Sequence, residues 1–142
     1  MQSKWLIPCN IAYFDVIAHF KENSKVVWKN ISNANPGDIV YIYLGQPHKE
    51  IRYKCIVLNS DVDSETLKKN SYAIPHRPLS PLCQIKISFM ELELINEYPE
   101  GTFVLKELRE NGLGQVQVQA RINKQLQQYI DEKCRALGAV YW

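Results

Sequence analysis

Residues 26–58, VVWKNISNANPGDIVYIYLGQPHKEIRYKCIVL, constrain the fold more than any other stretch of the chain. Ile39 to Leu44 is β-branched and aromatic throughout, and Ile51 to Leu58 sets Ile51, Tyr53, Cys55 and Val57 against Arg52, Lys54, Ile56 and Leu58. Both patterns predict strands. The connection from Gly45 to Glu50 is short and carries glycine and proline, so the two strands are expected to pair as an antiparallel hairpin. Just upstream, Asn35-Pro36-Gly37-Asp38 is turn chemistry: proline fixes φ, glycine supplies a positive φ, and the aspartate can accept from nearby backbone amides.

The other elements are read relative to this hairpin. Lys4 to Ile7 predicts a short strand that stops at Pro8, which cannot donate to a ladder. Asn10 suits the N-cap of a helix over Ile11 to Lys21, where Tyr13, Val16, Ile17 and Phe20 make one apolar face. Lys25 to Trp28 returns to extended chain, with Trp28 at a strand end. Beyond the hairpin, Ser64 can start one or two helical turns through Asn70, and Pro75, Pro78 and Pro81 make Ser71 to Leu82 an extended surface segment. From Cys83 the apolar set runs through Ile85, Ile87 and Phe89, then moves to Met90, Leu92 and Leu94. A phase slip of this kind in a long strand signals a bulge and a curling sheet. Thr102 is placed to cap a helix through Glu110, and Gly112 to end it. Gly112 to Ile122 sets Gln115, Gln117 and Gln119 against Val116, Val118 and Ala120, which reads as a strand or an ordered loop with one polar face. Asn123 caps a last helix with Leu126, Tyr129, Ile130, Cys134 and Leu137 inward and Gly138 at its end. These elements predict a curled α+β barrel with surrounding helices, in one domain spanning residues 1–142.

Composition narrows the function. A net charge of +2 is too small to announce nucleic acid by itself, so any basic patch must be local. Cys9, Cys55, Cys83 and Cys134 show no metal or CxxC spacing and read as reduced thiols of a cytoplasmic protein. No apolar run is long enough to cross a bilayer and no signal-peptide core is present, so no membrane partner is expected.

Several pieces, in order, resemble the EVE domain of the PUA-like superfamily. They are Trp5-Leu6-Ile7-Pro8-Cys9-Asn10, Tyr13-Phe14-Asp15, Trp28, Pro36 to Tyr43, and Ile51-Arg52-Tyr53-Lys54. Gly112 to Ile122, with Gln119 and Arg121, is similar to that family's Gly/Gln-rich segment, although Ala120 stands where a glycine-containing form is commoner. The likeness is greatest to EVE modules joined to HNH nucleases in modification-dependent restriction enzymes, and the fold it implies is shared with YTH and ASCH domains. The resemblance implies a non-catalytic module that flips a modified base, 5-methylcytosine or 5-hydroxymethylcytosine, out of double-stranded DNA into a partly aromatic pocket. The nuclease would be another domain or partner, and the chain would then be one part of a longer protein. No cofactor is implied.

A flipped base needs aromatic faces and a few polar groups for its hydrogen-bonding edge. Trp28 and Tyr43 are the stacking candidates, against the alternative that both are barrel packing; the resemblance favours stacking for Trp28. Asn10 can present its amide to a cytosine edge, or act as a cap only. Tyr13 and Asp15 border the same place, with core packing and favourable helix-terminal charge as their respective alternatives. For the backbone, Lys29, Lys49, Arg52, His76, Arg77, Arg121 and Lys124 are available, with Arg77 and Arg121 ranked first. Gln115, Gln117 and Gln119 can touch neighbouring bases or simply face solvent. Hydrolysis is the rival class. His19, His48 and His76 are isolated, and Glu91 with Glu93 lacks the partners that a metal-dependent nuclease needs. An RNA reader of the YTH or ASCH kind is a third reading that length and charge allow.

Overall fold

The computed structural model describes residues 2–30, 33–62 and 88–138. The expected hairpin forms from β3 (Ile39–Leu44) and β4 (Glu50–Asn59), antiparallel from Ile39 opposite Ile56 to Leu44 opposite Glu50. Its register steps between Ile42 and Tyr43, leaving Arg52 as an extra residue in β4. The turn before β3 is built as its residues require. Gly37 has φ +91°, and Asp38 N–H donates to Asn35 O at 3.0 Å. The buried Asp38 carboxylate accepts from Ser3 N (2.9 Å), Asn35 N (2.9 Å) and the Trp5 indole (3.0 Å).

Those bonds tie the turn to β1 (Lys4–Cys9), which lies parallel to β3 in register Lys4 with Ile39 through Cys9 with Leu44. A parallel pair needs a long crossover. Here it contains α1 (Val16–Glu22) and β2 (Lys25–Lys29). Two expectations change at this point. The strand continues through Pro8, because β7 (Ala120–Arg121) pairs only with Leu6 and Trp5 and, among the described residues, leaves the outer flank of β1 at Pro8 without a partner strand. The helix starts at Val16 rather than Ile11, since Asp15 supplies the cap by accepting from Ala18 N at 3.0 Å. Asn10 instead closes a turn, its backbone oxygen taking Tyr13 N and Phe14 N.

Among the described residues the sheet has seven strands. Six run in the order β2-β5-β4-β3-β1-β7, with β5 at Phe89–Glu97, and β6 (Phe103–Val104) pairs off the path with the start of β4. The predicted slip is real but misplaced. Phe89 and Met90 are both buried because they face opposite ways, Met90 into the first core and Phe89 against Val27 and Val62. The register breaks instead leave Leu58 and Ile95 without ladder partners. Those bulges curl the sheet, and the two extra residues are among its exposed large apolar side chains.

Among the described residues closure is incomplete. β2 and β7 end the sheet without pairing, and the Gln119 side-chain amide crosses the gap to Lys29 O at 2.8 Å. The architecture is therefore a curled, unclosed α+β sheet with three helices among the described residues.

Every residue of β3 is buried because both sheet faces are covered. Val40, Ile42 and Leu44 join Ile7, Cys55, Met90 and Val16 of α1 in one core. Ile39, Tyr41 and Tyr43 join Phe103, α2 (Leu105–Glu110) and α3 (Lys124–Leu137) in the other. The last helix is as expected at its start, where Asn123 Oδ1 accepts from Leu126 N at 2.8 Å, and at its end, where Gly138 has φ +112°. Leu126, Ile130 and Cys134 are buried, whereas Leu137 is exposed. The second helix begins three residues later than Thr102, because Phe103 and Val104 pair with β4 and Leu105 N donates to Lys49 O at 2.9 Å. Lys133 of α3 bonds Thr102 O and pairs with Glu107 of α2 at 2.7 Å, locking the two helices together. The expected elements at Ser64 to Asn70, at Ser71 to Leu82 and from Cys83 to Ile87 lie outside the described residues, as do His76 and Arg77. No described helix is long and apolar enough to cross a membrane.

Candidate nucleic-acid interface at the open seam

The gap between β2 and the segment leading into β7 brings part of the predicted site together. Trp28, next to last in β2, is half-buried and packs on Phe14 with ring centroids 5.1 Å apart and planes tilted by 59°. Phe14 is held from behind: its carbonyl accepts from the Cys9 thiol at 3.4 Å, and the buried His19 ring meets it edge-on at 5.8 Å. His19 Nε2 lies 2.6 Å from Lys25 O at the start of β2. Trp28 is thus backed by an ordered aromatic wall without being sealed into it.

The loop that delivers Phe14 also presents Asn10 and Tyr13. Asn10 Oδ1 accepts from Ala12 N at 3.0 Å, and the amide NH2 is exposed and makes no hydrogen bond among the described residues. A donor is thereby held in a fixed direction while its acceptor is already used. Tyr13 lies before the helix rather than on its apolar face and is 61% exposed. Asp15 has a structural role as the cap of α1.

Across the seam, Gln119 is half-buried and anchored on Lys29 O, while Gln115 and Gln117 are exposed. Arg121 in β7 lays its guanidinium over the Trp5 ring, 5.1 Å from the centroid, and remains exposed. The segment's path is set at Gly112, whose φ is +99° and where a Cβ would stand 2.9 Å from Gln125 Oε1. Between this segment, Leu6 and Leu126 lies a cleft of about 250 Å³.

Tyr43 is a correction. It is 3% exposed and packs under α2 in the second core, where burial raises its hydroxyl pKa against the opposing effect of Arg109. A base cannot reach its ring. Arg77 lies outside the described residues.

A polar cluster at the hairpin turn was not among the expected groupings. Glu50 is buried; its Oε1 accepts from Arg52 Nε (2.9 Å) and Nη2 (2.6 Å), and its Oε2 from Gly101 N (2.7 Å). His48 Nδ1 sits 3.5 Å from Arg52 Nη2. Opposite charges at i and i+2 of a strand share a face, and that was the available signal.

No group of three His, Cys, Asp or Glu side chains among the described residues is placed to hold a metal. In the ladder Glu93 stands opposite Lys25, and Glu91 opposite Val27. Burial pushes the Cys9 thiol up to about 12, so at neutral pH it is a protonated, poor nucleophile.

No protein-family model matches the sequence, and no curated protein matches it. Solved structures do share the fold. ASCH from Zymomonas mobilis superposes with a TM-score of 0.59 at 14% identity, covering 92% of this chain and 94% of that one. A protein from Agrobacterium tumefaciens gives 0.60 at 14% identity over 97% and 94% of the two chains. A hypothetical protein from Leishmania major gives 0.61 at 14% identity over 93% and 94%. At these identities the likeness shows a shared fold, that of ASCH from Zymomonas mobilis, and nothing beyond the fold. None of these three structures is named as an EVE domain or a restriction nuclease.

Proposed function

We propose that the protein is a non-catalytic nucleic-acid-binding module that receives one unstacked nucleobase at the open seam. The observation that carries this reading is the half-buried Trp28, supported from behind by Phe14 and flanked by a loop with an exposed, directed Asn10 amide. Trp28 supplies the stacking face, Asn10 the donor, and Tyr13 a second aromatic surface at the rim. Gln119 holds the far wall, and Gln115, Gln117 and Arg121 contact flanking bases and backbone. Asp15 supports the loop through its cap.

In its finest form the base is 5-methylcytosine or 5-hydroxymethylcytosine extruded from duplex DNA, and the module directs a modification-dependent nuclease located elsewhere. The EVE resemblance motivates that form. The fold shared with ASCH favours a second form, recognition of a modified base in RNA. Gel-shift titration separates them, using duplexes with cytosine, 5-methylcytosine, 5-hydroxymethylcytosine or N6-methyladenine and single-stranded RNA with and without N6-methyladenine. Tightest binding to the two modified cytosines supports the DNA form, and preference for the methylated RNA the other. Equal weak binding throughout rejects base reading.

Trp28→Ala is expected to fold normally, because the side chain is only half-buried, and to lose about 1–3 kcal/mol of binding. Circular dichroism and the same titration check both halves. An unfolded variant would make Trp28 a packing residue.

A further inference from the structure

We propose that the groove between the 45–49 turn and α2 is a second ligand site, one that holds the phosphodiester backbone of the nucleic acid engaged at the seam. The inference rests on the nucleic-acid reading above and adds a location for the phosphates. The groove encloses about 580 Å³, is open to solvent, and is lined by His48, Lys49, Lys106 and Arg109 around the apolar Leu105, with Glu110 the single carboxylate. Lys49, Lys106 and Arg109 are exposed and form no ion pair among the described residues.

The carboxylates that adjoin Lys49 and Lys106 in the chain are already engaged. Glu50 is held by Arg52 and Gly101 N, and Glu107 by Lys133 and Tyr129. Among the described residues, three cations against one carboxylate therefore leave a local positive surplus on a chain whose net charge is only +2.

The groove is also built to keep its shape. His48 N and Lys49 N both donate to Gly45 O, at 3.0 and 3.2 Å, and Lys49 sits at φ +50°, a conformation uncommon outside glycine. The 2.9 Å bond from Leu105 N to Lys49 O joins the turn to α2. Gly45 N donates to Cys9 O at 3.0 Å, so the turn adjoins the loop that starts at Asn10. The turn thus links the groove to the loop that presents Asn10 at the seam, and an open trough with an apolar floor and cationic walls suits a polymer's sugar-phosphate chain.

The test is the salt dependence of binding for wild type and for Lys49→Asn/Lys106→Gln/Arg109→Gln. Each lost phosphate contact removes about 0.9 from the slope of log K against log salt on duplex DNA, or about 0.7 on a single strand. The triple variant is expected to flatten the slope by roughly 2–3 on duplex DNA. Modified and unmodified oligonucleotides should lose affinity alike, leaving discrimination intact. Trp28→Ala should do the reverse. Lys106→Gln alone, at an exposed helix position, should give about one third of the change and stands in if the triple variant does not fold.

An unchanged slope with discrimination retained overturns the groove and leaves the base reading standing. A flattened slope on a wild type that never discriminated keeps the groove and rejects the base reading. Absence of any salt-dependent nucleic-acid binding overturns both. Saturable binding of inorganic phosphate that the triple variant loses, with the oligonucleotide slope kept, assigns the groove to a free phosphate and overturns the backbone assignment.

Discussion

Arg52→Met is expected to cost about 3–5 kcal/mol of unfolding free energy, the range for removing one partner of a buried ion pair. The Glu50 side chain is 2% exposed and that of Arg52 12%, so neither charge is well solvated. Both bonds from Arg52 fall on one oxygen of Glu50, and among the described residues only Gly101 N reaches the other. Methionine fills most of the space but leaves a carboxylate in the interior with a single backbone donor. The double variant Glu50→Met/Arg52→Met removes the stranded charge and should recover most of the loss. Urea unfolding at neutral pH gives the comparison, read as midpoint shifts at constant slope. A single variant within 1 kcal/mol of wild type would mean that water reaches Glu50 and that the pair does not brace the turn. The functional consequence follows from position: Arg52 is the extra residue that offsets β4 from β3, at the base of the turn that carries Lys49.

What the sequence revealed, and what it hid, follows from how far each signal reaches. The hairpin, the Asn-Pro-Gly-Asp turn and the Asn123 cap are local, set by residues within a few positions of one another, and all were readable. The start of α1 was not, because Asn10 and Asp15 are both good caps and the apolar spacing of Val16, Ile17 and Phe20 suits a helix from either. The winner is decided by the turn that Asn10 closes on its own carbonyl, which also places Tyr13 outside. Tyr43 was misread for a different reason. Ile39 to Leu44 has no polar position at all, and an unbroken apolar strand means cover on both faces, as the two cores supply. That signal argued against a pocket role from the outset. Of the proposed site, the position of Trp28 near a strand end was legible, whereas Asn10 was expected as a helix cap and lies in a turn before the helix instead. Phe14 behind Trp28, the Gln119 bridge to Lys29 and the basic groove join residues far apart in the chain, and only the curl of the sheet brings them together.

Asp38 illustrates a long-range bond hidden inside a local motif, and its replacement should be the second most damaging change. Asp38→Ala removes the acceptor of three hydrogen bonds, of which that from the Trp5 indole is fully buried. Bonds to a charged acceptor contribute about 1.5–3 kcal/mol when desolvated, and Ser3 and Asn35 can recover water, so the sum expected is about 3 kcal/mol. The pH dependence gives an independent check. Burial alone would raise the Asp38 pKa, but the bonds from Asn35 N, Trp5 and Ser3 N together outweigh it and hold the carboxyl below its usual range. A depressed carboxyl stabilises the fold above the unfolded-state pKa of about 3.9, and that contribution disappears as pH falls through the lower folded value. The stability gap between wild type and Asp38→Asn should therefore be constant from pH 7 to about 5 and narrow steadily in more acid solution. A gap that stays constant down to pH 2 would show that the lost hydrogen bonds, and not the charge, account for the effect. Because Trp5 lies between Asp38 and the Arg121 guanidinium, loosening its indole should also release β7. Faster hydrogen exchange at Arg121 and Ile122 in Asp38→Asn, with α3 still protected, would locate the damage at the flank of β1 that borders the seam.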